Sequence, residues 1–224
     1  MLPFDVLTFD CYGTLIDWDG GISGAILQAA AEHGVQLQRE EILTTFAQVE
    51  PVIQARAFQS YRSVLTDAAV ETARQLGWDI GREAATFLPD SLPSWSPFDD
   101  TNGVLDWFAE HGLTLGILSN VDDDLLAGTR RHFEAEFDVI VTAQQVGSYK
   151  PAHGHFRRAA EIIGERRWLH VAQSYFHDIE PAFDLGIPSV WVNRKNERPS
   201  GEARPAGEVR DLWALVEWLS KTEF

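Results

Sequence analysis

The sequence predicts an α/β fold: a doubly wound parallel sheet, covered by helices on both faces, with an all-helical domain inserted near its start. Three observations predict it. Short apolar runs recur along the chain and alternate with helical stretches, the rhythm of βαβ units. That rhythm breaks once, from about Gly24 to Phe87, where apolar residues fall at helical rather than strand spacing. The length of 224 residues suits one sizeable domain, or one domain carrying a smaller insertion.

In chain order, the run Phe4–Phe9 stops at Asp10 and is followed by Gly13 and Thr14-Leu15-Ile16, which reads as a buried strand ending in a turn. The helical insertion follows, marked by Ile26-Leu27, Ile42-Leu43, Phe46, Val49, Val52-Ile53, Tyr61 and Val64-Leu65. The Pro- and Ser-rich stretch Leu88–Pro97 brings the chain back to the core. Further strands are predicted at Leu113–Leu118, Val139–Thr142, Trp168–Ala172 and Ser189–Val192. Helices are predicted over Asp122–Phe133, Ala152–Gly164, Glu180–Leu185 and Val209–Leu219, with Trp213 and Trp218 packing the last of them on the sheet. Arg194–Gly207, rich in Pro and Gly, reads as a surface loop. The expected boundaries are 1–20 and 92–224 for the core and 21–91 for the helical domain.

Composition narrows the function classes. Hydrophobic residues at 45% and charged residues at 23% describe a packed globular chain rather than a disordered one. A net charge of −16 argues against a nucleic-acid partner, because phosphate backbones require clustered Lys and Arg. The single cysteine excludes an internal disulfide and a cysteine-rich metal site. The opening Met-Leu-Pro-Phe-Asp-Val lacks the basic and apolar regions of a secretory signal. No apolar run approaches the ~20 residues of a membrane span, so no membrane partner and a cytoplasmic location are expected.

In open parallel sheets, ligands bind beyond the carboxyl ends of the strands. The first strand delivers Asp10, Cys11, Tyr12, Gly13 and Thr14 there, and the second delivers Ser119 and Asn120. After a loop, the third leads to Tyr149, Lys150 and Pro151; the fourth leads to Gln173, Ser174, Tyr175, His177 and Asp178. Two carboxylates, a lysine and small hydrogen-bonding side chains therefore converge on one edge. Alternation points Cys11 away from Asp10's face, so it reads as a packed thiol. His153 and His155, at the loop-like start of the predicted Ala152–Gly164 helix, have no third ligand at metal-site spacing, and they and His177 read as supporting or surface residues.

The segments Phe9-Asp10-Cys11-Tyr12-Gly13-Thr14-Leu15, Leu118-Ser119-Asn120, Tyr149-Lys150-Pro151 and His177-Asp178 resemble the four ordered motifs of the haloacid dehalogenase superfamily. The resemblance covers essentially the whole chain; it implies a Rossmann-like core, with the helical insertion as the cap domain. Most members of that superfamily are magnesium-dependent phosphatases with an Asp-x-Asp first motif, whose second carboxylate protonates the leaving group. Here that position is Tyr12, whose ordinary pKa near ~10 makes it a poor acid at neutral pH. The metal-binding aspartate of their fourth motif falls on Gln173. Magnesium favours hard oxygen ligands, usually including carboxylates, so no cofactor is expected; magnesium enters only under the phosphatase alternative.

The Asp-x-Tyr-Gly-Thr-Leu pattern is instead similar to the L-2-haloacid dehalogenase branch. The resemblance implies that Asp10 attacks the halogen-bearing carbon of a small carboxylic acid, giving an ester that water hydrolyses. Lys150 would keep Asp10 ionised, Asp178 would be the general base, and Thr14 and Ser119 would complete the catalytic set. Tyr12, Asn120, Ser174 and Tyr175 are candidates for substrate contact, while Asp178 could instead cap the helix after it. The branch's halide-holding arginine has no clear counterpart among Arg39, Arg56 and Arg62. Its tyrosine after the lysine falls on Phe156, and its Ser-Ser-Asn stretch falls on Gln173-Ser174-Tyr175. Cleavage of another activated C–X bond, such as ring opening of azetidine-2-carboxylate, stays open. A homodimer is expected by analogy alone.

Overall fold

The structure, a computed structural model, describes residues 2–221. Strand β1 (Val6–Phe9) is followed by helices α1 (Trp18–Glu32), α2 (Arg39–Gln54), α3 (Tyr61–Gln75) and α4 (Phe87–Ser91). Then come α5 (Thr101–Glu110), β2 (Thr114–Ser119), α6 (Asp123–Thr129), β3 (Val139–Thr142), α7 (Ala143–Val146) and α8 (Gly154–Ile163). The chain ends with β4 (Trp168–Ala172), α9 (Glu180–Asp184), β5 (Ser189–Val192), β6 (Gly207–Val209) and α10 (Leu212–Lys221).

The sheet runs β3-β2-β1-β4-β5-β6 and every pairing in it is parallel. The chain winds outward from β1 to β3 on one side, then crosses back and winds from β4 to β6 on the other. Strands β1 and β4 therefore lie side by side where the winding reverses, the place where open sheets bind ligands. All four residues of β1 are fully buried, as expected of a central strand covered on both faces.

Five strands fall on the predicted apolar runs; β6 does not. Gly207 was assigned to a loop and Val209 to a helix, yet Gly207–Val209 pairs with Val190–Val192 at the sheet edge. Three residues of mixed polarity carry no strand period, so only the neighbouring strand defines them. Helix α10 starts late, at Leu212, whose amide donates to Asp100 Oδ2 at 2.8 Å while Asp211 Oδ1 accepts from the Ala214 amide at 2.7 Å. Its inward positions are Leu212, Leu215 and Leu219, and Trp213 is 47% exposed instead of packing on the sheet. Helix α8 begins at Gly154, within the predicted Ala152–Gly164, and carries His155 in its first turn.

Contacts divide the chain into two compact units. The first holds the residues up to Ile16, Pro97–Asn120 and the chain from His132 onward; the second holds Asp17–Ser96 and Val121–Arg131. The second is wider than the predicted 21–91, and residues 1 and 222–224 of the predicted core span lie outside the described residues. Asp122 explains part of the enlargement: its carboxylate accepts from the Tyr61 and Arg62 amides at 2.9 and 2.8 Å, capping α3 from far along the chain. Within this unit Trp18 meets Phe46 and Trp95 edge-on. Gly21 is required there, since a Cβ would lie 2.1 Å from the Trp95 ring. Among the described residues no helix is long and apolar enough to cross a membrane.

Candidate active site

The Asp10 amide donates to the Val171 carbonyl at 3.0 Å, carrying β1 one residue further along β4. The chain then folds tightly. The Cys11 carbonyl accepts from Leu15 and Ile16, and the Gly13 amide donates to the Ile16 carbonyl at 2.8 Å. Gly13 has φ +93°, a conformation that costs glycine little and other residues much. The turn returns Thr14 to Asp10: its hydroxyl donates to Asp10 Oδ2 at 3.0 Å and accepts from the Gln173 amide at 2.9 Å.

Lys150 Nζ uses all three of its donors, on Asp10 Oδ1 at 2.9 Å, Asp178 Oδ1 at 2.7 Å and the Leu118 carbonyl at 2.7 Å. Side-chain exposure is 1% for Lys150 and 0% for Asp178, but 10% for Asp10, so Asp10 is the member that solvent reaches. Burial pushes the Asp10 carboxyl above its usual range, with Lys150 and the Thr14 hydroxyl opposing it. Burial also acts against Asp178, yet Lys150 and His170 outweigh it and hold that carboxyl at about 2. For Lys150, burial favours the neutral amine, but Asp10 and Asp178 overcome it and keep the ammonium charged beyond its ordinary range.

Asp178 lies on a π-helical turn, Tyr175–Ile179, that opens when Ser174 Oγ accepts from the His177 amide at 3.1 Å. It does not cap α9, which starts two residues later without a side-chain cap. Its Oδ1 receives Lys150 and also His170 Nε2 at 3.0 Å, whereas the buried Oδ2 has no protein partner. Sequence reasoning missed His170, because a histidine inside an apolar strand gives no pattern to find. His155 is fully buried and donates Nε2–H to the Ser119 carbonyl at 3.0 Å. Burial, reinforced by Lys150, holds it at about 3, so it is a neutral imidazole rather than a surface group.

Three residues expected at the substrate are otherwise engaged. Tyr175 donates its hydroxyl to the Ala203 carbonyl and meets Trp191 edge-on at 5.1 Å, a packing position turned to the 203 segment. Asn120 clamps the main chain of Lys150, accepting from its amide at 2.7 Å and donating to its carbonyl at 3.0 Å. Ser174 acts as the turn's cap and also meets His177 Nδ1 at 3.1 Å. Ser119 Oγ, by contrast, is buried without a protein partner, and Tyr12 is half-buried two residues after Asp10. Phe156 packs edge-on against His170 at 5.0 Å. Cys11 is the packed thiol expected, with burial pushing its pKa well up. In the second unit Arg62 pairs with Asp90 and Asp124 at 2.6 and 2.8 Å.

The donor set does not fit a divalent cation. Among the described residues no group of three His, Cys, Asp or Glu side chains is arranged to hold a metal ion. The lysine ammonium lies between the two carboxylates and donates to an oxygen of each.

A family model described as haloacid dehalogenase-like hydrolase matches residues 4–172. The chain is 26% identical over 220 residues to an (S)-2-haloacid dehalogenase of Pseudomonas fluorescens, covering 94% of each. An L-2-haloacid dehalogenase crystal structure superposes with a TM-score of 0.84 at 22% identity, covering 97% of this chain and 99% of the other. The L-2-haloacid dehalogenase of Xanthobacter autotrophicus with chloropropionic acid covalently bound gives a TM-score of 0.80 at 18% identity, over 98% and 100% of the two chains.

Proposed function

The chain belongs to the haloacid dehalogenase-like hydrolase family, and from that premise we propose that it displaces a leaving group, halide in the first instance, from the 2-position of a small carboxylic acid without a metal ion. The observation that carries this reading is the shared ammonium of Lys150, with the partly open Asp10 on one side and the closed Asp178 on the other.

Asp10 attacks the substrate carbon in line with the bond that breaks. A C–O bond forms to the carboxylate, and the halide leaves with the bonding pair. Lys150 and Thr14 hold the attacking carboxylate in place, so little ordering is left to the moment of reaction. Water then adds to the ester carbonyl of Asp10. One of its protons passes to Asp178 Oδ2 and onward to the departing alkoxide, so that a 2-hydroxy acid leaves; the other, left on the Asp10 carboxyl, is lost to solvent and the carboxylate returns. Asp178 suits the base role because its position keeps it ionised and its Oδ2 free of protein donors. Lys150, Thr14 and Ser119 complete the catalytic set; Tyr12 remains the candidate substrate contact.

What supports a metal-free reading is the donor set around Asp10. What supports carbon–halide chemistry is the likeness to 2-haloacid dehalogenases along nearly the full chain. A cytoplasmic location, a small carboxylic acid as partner and a homodimer belong to the same proposal; sedimentation tests the last.

Product release from chloroacetate, fluoroacetate, L-2-chloropropionate, azetidine-2-carboxylate and para-nitrophenyl phosphate, each with and without chelator, tests the reading. Chelator-insensitive halide release is expected, and Asp10→Asn should abolish it while the protein stays folded. Chelator-insensitive ring opening would keep the mechanism and change the leaving group. Turnover by Asp10→Asn, or chelator-sensitive phosphate release alone, would overturn the proposal.

A further inference from the structure

Resting on the hydrolysis described above, we propose that His170 is a positioning residue for Asp178: a neutral imidazole, protonated at Nε2, that fixes Oδ1 so that Oδ2 alone receives the proton of the attacking water.

The protonation state follows from a chain of hydrogen bonds that begins at a group able only to donate. Trp168 Nε1 donates to Thr8 Oγ1 at 2.7 Å. A hydroxyl oxygen can accept twice, but Thr8 is fully buried and its own proton needs an acceptor, which His170 Nδ1 supplies at 2.8 Å. An Nδ1 that accepts is unprotonated, so the ring's proton is on Nε2, pointing at Asp178 Oδ1 at 3.0 Å. The opposite tautomer would set a bare nitrogen lone pair against a carboxylate oxygen and leave the Thr8 proton without an acceptor, both costly in a dry interior. Thr8, His170 and Asp178 are all fully buried, so bulk solvent does not compete for these hydrogen bonds. The Phe156 ring, edge-on to the imidazole, packs it in place.

The Lys150 ammonium is divided between Asp10 and Asp178, and that division changes once Asp10 is an ester. His170 gives Asp178 a second donor that the reaction does not disturb. With Oδ1 saturated by two donors and Oδ2 without one, the carboxylate is a base with a direction.

The test separates the two chemical steps. His170→Phe keeps the ring's bulk and removes the donor, whereas His170→Gln keeps an N–H at similar reach. With L-2-chloropropionate, His170→Phe should release the first equivalent of chloride at close to the wild-type rate, then turn over about 10²-fold more slowly. The ester should accumulate on Asp10 in intact-mass spectra, and His170→Gln should recover most of the steady-state rate. Long-range 1H–15N correlation on the wild type should show His170 as the Nε2–H tautomer whatever the substrate. An Nδ1–H or doubly protonated ring would overturn the proposal. So would burst and turnover falling together in His170→Phe, or His170→Gln performing no better. Failure of the hydrolase reading looks different: the wild type would give neither chloride nor adduct, which removes the positioning role while leaving the tautomer as measured.

Discussion

Arg194 donates to the Thr14 carbonyl at 2.9 Å, so the turn that follows Asp10 is braced by a residue 180 positions further along the chain. The same guanidinium makes a two-point contact with Asp100, at 3.0 and 2.9 Å, and lies 4.0 Å over the Phe98 ring. Asp100 in turn accepts from the first amide of α10. A stretch rich in Pro and Gly, expected to be a solvated loop, therefore starts with a half-buried structural residue that reaches the active-site turn.

Removing one member of that pair should cost more than removing both. Arg194→Met leaves Asp100, 11% exposed, without its countercharge, at a cost of about 3 kcal/mol. Adding Asp100→Asn, which still accepts from Leu212, should restore much of the loss. Turnover should fall about 10-fold in Arg194→Met because Thr14 loses its brace. Urea unfolding and halide release measure the two effects; an Arg194→Met protein as stable and active as the parent would refute the brace.

Lys150→Met should inactivate the enzyme and make its stability strongly pH-dependent. Without the ammonium, burial raises both Asp10 and Asp178 above their unfolded values, so the folded state pays a penalty at neutral and alkaline pH. Loss at pH 8 should be on the order of 3–5 kcal/mol. It should shrink as pH falls and the folded state takes up protons first. Equal destabilisation at pH 8 and pH 5 in denaturant titrations would contradict the buried triad.

The wild-type kcat/KM profile should show an acid limb and no alkaline limb from the triad. Asp10 must be ionised to attack, and burial raises it above 3.8, so activity should fall on acidification with a midpoint above that value. Asp178, held at about 2, stays ionised throughout that fall. Lys150, raised above 10.5, keeps its charge up to about pH 10. Stability has a separate window. The folded value of Asp178 lies below its unfolded 3.8, so its contribution is full above 3.8 and is lost as pH drops from there towards 2. A rate profile from pH 4 to 10, with an unfolding series below pH 4, checks both.

The parts of this site that were legible in the sequence are those placed by strand ends. Asp10, Ser119, Lys150 and Asp178 follow apolar runs, and a parallel sheet gathers whatever follows its strands onto one edge. What stayed hidden sits where no period marks it. His170 and Thr8 occupy ordinary positions inside strands, and Arg194 is one polar residue in a polar stretch. Asp122 caps α3 across 61 residues, a relation that no local window contains. Proximity in sequence to Asp178 says nothing about direction: the π-helical turn sends Tyr175 to the Ala203 carbonyl and Asp178 to Lys150.

The second unit holds a titrating group of its own. Glu50, 8% exposed, receives the Tyr61 hydroxyl at 3.1 Å and the Gln54 amide at 3.0 Å, both on Oε1. Burial lifts its carboxyl to about 7 against the pull of the Tyr61 hydrogen bond. Because the folded value exceeds the unfolded 4.5, the native state keeps a proton that the unfolded chain has already released. Stability should therefore decline as pH rises from 4.5 to about 7, with the full penalty present above that. Glu50→Gln keeps the oxygen that accepts from Tyr61 and removes the charge. It should be more stable than the parent at pH 8.5 by about 2–3 kcal/mol and nearly equal to it at pH 4. Thermal unfolding at the two pH values decides the matter: an equal gain at both would mean that better packing, and not a buried charge, had been changed.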